Sequence, residues 1–264
     1  MWRQILVLLV AAMMHGADKH SVLAVFAHPD DETSVGALLA KLADEGHDVY
    51  LVSITSGQKG VTAHGGIPAG GKLGAAREEE LRCSAKALGI HEPFPLGFED
   101  QGISTAAAMT KVAERLREII EQVKPDVIVT WGPDGITGHP DHRAAGSIAT
   151  EVFQQRGVLK HKPRKLYYVL IPESRARDLP PPFDQRPPRA VSDLFVTTET
   201  DCRAFQSKLK ASIACHRTQW TPEQMEAMVS LNSRVLDGRV FLRLVLSDVP
   251  AQTPRETSLF GGLR

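Results

Sequence analysis

Short apolar segments alternate with segments of helical periodicity along the first two thirds of the chain, and this alternation restricts the possible folds most. Four runs are mainly apolar and β-branched, as buried parallel strands are: SVLAVFA (21–27), DVYLVSITS (48–56), DVIVTW (126–131) and KLYYVLI (165–171). Helices are predicted between them, for example where apolar residues repeat on one helical face at Val35, Leu38, Leu39, Leu42 and Ala43. This order of elements predicts an α/β fold, with a mostly parallel sheet covered by helices on both faces.

The last third of the chain predicts further elements of the same domain. We expect strands at 193–198 and 239–246, helices near 202–216 and 222–231, and a proline-rich surface loop at 179–190. A chain of 264 residues is long enough for one sizeable domain. We assign that domain to residues 18–264.

The N-terminal segment is typical of a secretory signal peptide. Arg3 precedes an apolar run from Ile5 to Met14, and small residues follow at Gly16 and Ala17. The run is too short to span a bilayer comfortably. Residues 1–17 are therefore predicted to be removed on export, which gives a periplasmic or secreted protein without a stable membrane span. The alternatives are a buried N-terminal element and a cytoplasmic protein.

The charge balance argues against some partners. Lys+Arg and Asp+Glu both number 31, so the formal net charge is zero. A protein that binds nucleic acid through phosphate contacts has an excess of basic residues, and no basic stripe is present here. A small, weakly charged substrate is favoured instead. No heptad pattern or interface patch indicates an oligomeric state.

Three cysteines occur without the spacing of a metal site. Cys202 and Cys215 are predicted to lie in one helix, where rigid separation prevents a bridge between them. Together with Cys83 they are predicted to be small residues of the hydrophobic core.

Two short segments repeat the letters His-Pro-Asp after predicted strands. HPDDE occupies 28–32, and HPDH occupies 139–142. In an open α/β sheet, ligands bind outside the carboxyl ends of the strands, so both segments can face one cleft. The side chains brought together would be His28, Asp30, Asp31, His139, Asp141 and His142.

These residue types favour a catalytic metal site. Zinc binds imidazole nitrogen and carboxylate oxygen, and catalytic sites commonly use three protein ligands and a water molecule. Pro29 and Pro140 restrict each preceding histidine to an extended backbone. A simpler interpretation is that Asp31 and Thr33 only cap a helix. The occurrence of two such motifs at two strand ends favours the metal.

AHPDDE (27–32) and GHPDH (138–142) resemble the paired signature of the PIG-L/LmbE-like family of zinc-dependent N-deacetylases. LGAAREEELRCSAKALG (73–89) and KLKASIACHRTQ (208–219) resemble the family's Arg-x-x-Glu helix and its Lys…His-x-x-Gln segment. The similarity in order and spacing covers roughly residues 21 to 220. It implies a Rossmann-like three-layer sandwich that removes the acetyl group from an N-acetylglucosamine-type amino sugar or glycoconjugate.

The resemblance also implies a role for individual residues. His28, Asp31 and His142 match the zinc ligands, although such a site also suits Fe²⁺. Asp30 matches the general base and His139 the histidine that stabilises the oxyanion or assists the leaving amine. The remaining matches are Asp141, which would orient His139, the substrate-contacting Arg77, and a supporting acidic residue, Asp100.

The chemistry of amide hydrolysis agrees with these roles. Zinc lowers the pKa of a water molecule to about 7 and polarises the carbonyl group. A carboxylate such as Asp30 accepts the proton and returns it to the amine. We expect His139 to act as a cationic imidazole near the developing oxyanion.

Other sequence features give weaker evidence about function. GIPAGGK (66–72) nearly matches a phosphate-binding loop, but Leu73 replaces the required Ser or Thr. The loop 57–72, with His64, is instead predicted to form a rim of the site. Trp131 either stacks on a sugar or packs in the core, and His216 and Gln219 either reach the cleft or cap a helix.

Two alternative functions remain open from the sequence. The same metal site can cleave a larger amide, as some members of the resembling family do. A metal- or sugar-binding protein without catalysis is less favoured, because metal storage requires neither Asp30 nor His139.

Overall fold

The computed structural model describes residues 18–177, 179, 183, 187–250 and 255–263, so the segment 1–17 predicted as a signal peptide lies outside the described residues. Seven strands form one sheet: β1 Ser21–Phe26, β2 Asp48–Thr55, β3 Phe94–Phe98, β4 Val127–Trp131, β5 Lys165–Leu170, β6 Thr198–Asp201 and β7 Arg239–Ser247. Their order is β3-β2-β1-β4-β5-β7-β6. The first five strands run parallel, and β7 pairs antiparallel with both β5 and β6.

The helices are α1 Gly36–Asp44, α2 Gly71–Leu88, α3 Ala106–Val123, the short turn α4 Gly135–Gly138, α5 Pro140–Gln154, α6 Gln206–Ile213 and α7 Pro222–Ser230. Helices α1, α2 and α6 pack against one another, and α3 packs against α5. The strands between these two layers are buried, and β1 has no exposed apolar side chain. The predicted α/β three-layer sandwich is confirmed.

Local sequence explains where several helices begin and end. Gly89 has the left-handed conformation (φ 79°) that ends α2. The Thr105 side chain accepts the N–H of Ala108 at the start of α3. Thr221 and Gln224 form a reciprocal capping box at the start of α7.

One strand prediction was wrong. Residues 193–198 do not form a strand, because Asp193–Phe195 is a 3₁₀ turn and β6 begins only at Thr198. The apolar letters of Leu194 and Phe195 suggested a strand, but Leu194 is exposed. The helix predicted over 202–216 is also shorter, since a 3₁₀ turn at Arg203–Phe205 precedes α6.

The cysteine prediction was wrong for two of the three residues. Cys83 and Cys215 form a disulfide with a Cα–Cα distance of 5.8 Å. It joins α2 to the segment after α6, which tertiary packing brings together across 132 positions of sequence. Cys202 is a free, buried cysteine as expected, although it lies before the helix.

Within the described ranges, no helix combines the length and the apolar character needed to cross a membrane.

Candidate metal centre and active site

The two His-Pro-Asp motifs meet at the carboxyl ends of β1 and β4. These strands are parallel neighbours, with Val25 opposite Thr130. They lie where the sheet order reverses, since β1 continues to β2 on one side and β4 to β5 on the other. Such a reversal opens a crevice outside the strand ends. The repeated motif is thus explained: each copy forms one wall of the same crevice.

The predicted ligands His28, Asp31 and His142 present their donor atoms to one another. His28 Nδ1 lies 3.2 Å from His142 Nε2 and 3.6 Å from Asp31 Oδ2. His142 Nε2 lies 3.1 Å from Asp31 Oδ1. Tetrahedral zinc with bonds of about 2.0–2.2 Å separates its ligand atoms by about 3.3–3.6 Å. The His28–His142 distance and the His142–Asp31 Oδ1 distance are close to this separation, so these side chains lie near enough to share one divalent metal.

The carboxylate of Asp31 is held by donors of the protein. Its Oδ2 accepts the backbone N–H groups of Ala27 (3.0 Å) and His28 (2.9 Å). It also accepts the indole N–H of Trp131 at 3.3 Å. These contacts leave Oδ1 directed at His142. Burial raises the pKa of Asp31, but the neighbouring imidazoles of His142 and His28 outweigh it and hold the pKa well below the usual range.

The ring of His142 is fixed by a backbone carbonyl and by an indole. Its Nδ1 donates to Gly135 O at 3.0 Å, which leaves the lone pair of Nε2 for a metal. Trp131 stacks on the ring with centroids 5.1 Å apart. Because Trp131 is only 1% exposed, it packs in the core and supports the metal ligands.

His28 lies between the metal site and two outer carboxylates. While Nδ1 faces His142, Nε2 lies 3.2 Å from Asp100 Oδ1 and 3.5 Å from Asp141 Oδ2. Carboxylates in this position orient a ligating histidine and raise its basicity. Burial lowers the pKa of His28, but the carboxylates of Asp100, Asp141 and Asp31 outweigh it and raise the pKa well above its usual value. This concentration of negative charge favours a bound cation.

Asp30 sits beside the ligands in an unusual backbone conformation. Its φ is 109°, a value that residues with a side chain rarely adopt. Its carboxylate pairs with Arg77, whose Nη2 lies 3.3 Å from Asp30 Oδ1. Burial raises the pKa of Asp30 to about 6 against the opposing charge of Arg77. A carboxylate with such a pKa is suited to accept a proton near neutral pH.

A buried ion pair that was not predicted holds the backbone of Asp30. Glu32 Oε2 accepts the Asp30 N–H at 3.0 Å, while Glu32 Oε1 lies 2.6 Å from His216 Nε2 and 2.5 Å from Ser84 Oγ. Ser212 Oγ extends this cluster, 2.7 Å from Ser84 Oγ. His216 has no exposed surface, so it does not reach the cleft. It supports Asp30 through Glu32.

Arg77 lines the cavity, but its guanidinium group is already hydrogen-bonded within the protein. It donates to Pro29 O (2.6 Å) and Gly57 O (2.9 Å), and it is 3% exposed. A Cβ on Gly57 would lie 2.0 Å from Nη1 of Arg77, so glycine permits this approach. These contacts are those of a residue that positions Asp30, and contact of Arg77 with substrate stays a prediction.

His139 caps α5 and faces the cavity. Its Nδ1 accepts the backbone N–H of Asp141 at 3.1 Å, which places the hydrogen of the neutral ring on Nε2. Burial and the charges of His28 and His142 lower the pKa of His139. In its neutral form the ring can donate through Nε2, and the cationic imidazole expected at the oxyanion stays a prediction.

The carboxylate of Asp141 does not orient His139 as predicted. It accepts the Gln101 N–H at 2.7 Å and lies on the His28 side of the crevice. The contact with His139 comes from the backbone of Asp141, because the first turn of a helix directs its N–H groups at the capping side chain.

Part of the loop 57–72, which was predicted to form a rim of the site, lines the cavity. Gly60 of the loop 57–72 lines a cavity of about 820 Å³ together with the metal ligands, and Gln219 holds it by donating to Gly60 O at 3.1 Å. His64 is exposed, contacts Arg217 O and does not line the cavity.

The sequence of this chain is similar to those of known deacetylases. A sequence profile described as "PIG-L: GlcNAc-PI de-N-acetylase" matches residues 23–153. A 1D-myo-inositol 2-acetamido-2-deoxy-alpha-D-glucopyranoside deacetylase of Thermobifida fusca is 35% identical over 75% of this chain and 82% of its own length. A second deacetylase with that description, from Catenulispora acidiphila, is 30% identical over 94% of this chain and 99% of its own length.

A solved structure shows the same fold. The N,N'-diacetylchitobiose deacetylase from Pyrococcus horikoshii superposes with a TM-score of 0.67, over 87% of this chain and 85% of that one. Its sequence identity is 21%, so the likeness concerns the fold alone.

Proposed function

This chain belongs to the PIG-L family of N-deacetylases, hydrolases that act on amide bonds, and from that premise we propose that it removes the acetyl group from an N-acetylglucosamine glycoconjugate with the help of zinc. The observation that carries the proposal is the junction of the two motifs. His142 Nε2 lies 3.2 Å from His28 Nδ1 and 3.1 Å from Asp31 Oδ1, and Asp30 and His139 line the same cavity.

The side chains provide the proton transfers and the charge stabilisation that amide hydrolysis requires. When bound by His28, Asp31 and His142, zinc would supply Lewis-acid polarisation of the carbonyl and acidification of water. Asp30 then accepts the proton of the attacking water and returns it to the departing amine. The Nε2–H of His139 donates to the oxygen that becomes negative in the tetrahedral transition state.

We propose that the protein acts outside the cytoplasm. The signal-like segment 1–17 supports this location, and so does the Cys83–Cys215 disulfide, because disulfides persist in oxidising compartments. An exported enzyme would meet envelope or extracellular N-acetylglucosaminides.

The decisive experiment is acetate release by the zinc-loaded protein from a panel of N-acetylglucosamine compounds. The panel runs from the monosaccharide to chitooligosaccharides and inositol-linked forms, with Asp30→Asn as the control. We expect release that falls by about 10²–10⁴-fold in the control, while its zinc content stays unchanged. No release from any compound, with zinc confirmed bound, would overturn the proposal.

A further inference from the structure

The cavity that contains the metal site extends beyond it along the same edge of the sheet. Its volume of about 820 Å³ lies in the upper part of the range for pockets that bind small organic ligands. From the β1 and β4 ends it continues to the ends of β5 and β7, where Trp131 pairs with Val169 and Leu170 with Phe241. It therefore has room for a group attached to an amino sugar.

This extension is lined by an apolar wall, which we define as Leu170, Ile171, Met228, Leu231, Val240 and Phe241. These side chains come from β5 and the residue after it, from α7 and the turn after α7, and from β7. Each is between 4% and 7% exposed, so packing fixes it in place. The wall is part of the rigid fold and continuous with the metal site.

Three polar side chains near the apolar wall are already engaged, whereas the buried indole N–H of Trp220, which also lines the cavity, has no hydrogen-bond partner among the described residues. Arg239 is paired with Glu199 at 2.7 Å. The Asn232 amide donates to Met228 O at 2.9 Å, and the side-chain oxygen of Gln224 accepts the N–H that opens α7. Hydroxyl groups placed against the six side chains of the apolar wall would lose their hydrogen bonds to water without equivalent replacement. Apolar groups would instead gain from leaving water.

We propose that the apolar wall binds an apolar aglycone, an alkyl or aryl group on the anomeric oxygen of the N-acetylglucosamine unit. This inference rests on the proposed function. The acyl group removed is acetyl, which has a single methyl group. One methyl group is too small to contact all six apolar side chains. The occupant is therefore the substituent at the other end of the sugar.

The test compares values of kcat/KM for glycosides that differ only in the aglycone. We expect octyl N-acetylglucosaminide, below its micelle concentration, to exceed the inositol-linked and methyl glycosides by at least about tenfold. Equal or higher values for the inositol-linked compound would overturn the proposal. Faster hydrolysis of N-octanoylglucosamine would assign the apolar wall to an acyl chain and would also overturn it.

Matched methionine variants test the location of the subsite. Met228→Gln changes the apolar wall, whereas Met225→Gln changes a partly buried methionine of the same helix that does not line the cavity. The octyl-to-methyl ratio of kcat/KM should fall about tenfold in Met228→Gln and stay unchanged in Met225→Gln. Since the ratio is internal to each variant, a loss of stability does not mimic the result. An unchanged ratio in Met228→Gln would exclude the wall as the subsite.

Binding distinguishes failure of this inference from failure of the proposed function. If no amide is hydrolysed, the affinities of octyl and methyl N-acetylglucosaminide for the zinc-loaded protein are measured by calorimetry. An affinity for the octyl compound about tenfold higher would retain the apolar subsite and reject the deacetylase. Equal affinities would reject the subsite as well.

Discussion

Asp30 and Asp31 are neighbours in the chain with opposite electrostatic environments. Asp31 is surrounded by imidazoles and N–H donors, which hold its pKa low, whereas burial raises the pKa of Asp30 to about 6. Asp30 has a left-handed backbone, which costs about 1–3 kcal/mol, and its carboxylate pairs with Arg77. One carboxylate is thereby suited to a metal and the other to a proton.

The pKa of Asp30 predicts an acid limb in the pH profile. A general base acts in its ionised form, so kcat/KM should fall about tenfold per pH unit below about pH 6. Because the charge of Arg77 opposes the rise in pKa, Arg77→Gln should move this limb to higher pH. The profile is measured with metal content checked at each pH, since metal loss would imitate it. A rate independent of pH between about 5 and 8 would contradict the assignment.

Metal affinity should distinguish a ligand from its outer partner. His142→Ala removes a proposed ligand, whereas Asp100→Asn removes a carboxylate that lies 3.2 Å from His28 Nε2. Loss of such an outer partner weakens metal binding by about 10–100-fold, and loss of His142 should weaken it further. Competition with a chelator measures both affinities. Parental affinity in His142→Ala would disprove the ligand set.

At the scale of elements, α2 and α6 hold the turn that carries Asp30. Ser84 of α2 and His216 after α6 both contact Glu32 in the 3₁₀ turn after β1. Burial lowers the pKa of His216, but the charge of Glu32 outweighs it and raises the pKa, so the pair is ionic. This turn therefore depends on packing between two helices that contribute no proposed metal ligand.

His216→Ala should impair catalysis without removing the metal. The variant leaves Glu32 buried and unpaired, which costs about 3–5 kcal/mol of stability. A shift of Asp30 by about 1 Å would lower kcat by about 10²-fold. His216→Gln keeps a donor to Glu32 and should recover part of both losses. Measurements of kcat, KM, zinc content and thermal unfolding separate these effects, and an unchanged kcat in folded His216→Ala would refute the positioning role.

At the scale of the molecule, the disulfide ties together segments that lie far apart in sequence. Cys83 precedes Ser84 and Cys215 precedes His216, so the cross-link lies beside the cluster that supports Asp30. It encloses the strands β3, β4, β5 and β6 between its ends.

Removal of the disulfide should lower global stability. For a loop of this length, chain entropy favours the cross-linked protein, and the typical gain is about 2–4 kcal/mol. Urea unfolding of the parent with and without reductant measures the difference, and Cys83→Ser should match the reduced parent. Cys202→Ala retains the disulfide and should keep the sensitivity to reductant. Identical midpoints for oxidised and reduced parent would contradict the expectation.

Local pattern was sufficient for the fold class and for the meeting of the two motifs at one crevice. Strand and helix periods are properties of consecutive residues, so they predicted β1, β2, β4, β5 and the helices between them. The His-Pro-Asp motifs predicted that their side chains meet, because both motifs follow strands whose ends must lie on one edge of a parallel sheet.

Pairings between distant segments followed only from tertiary packing. Glu32 and His216 are separated by 184 positions, and neither segment carries a signal for the other. The Cys83–Cys215 bridge and the apolar wall likewise depend on how α6, α7 and β7 return to the sheet. Periodicity reports which face of an element is buried, whereas the partner of that face is set by the packing of the whole chain.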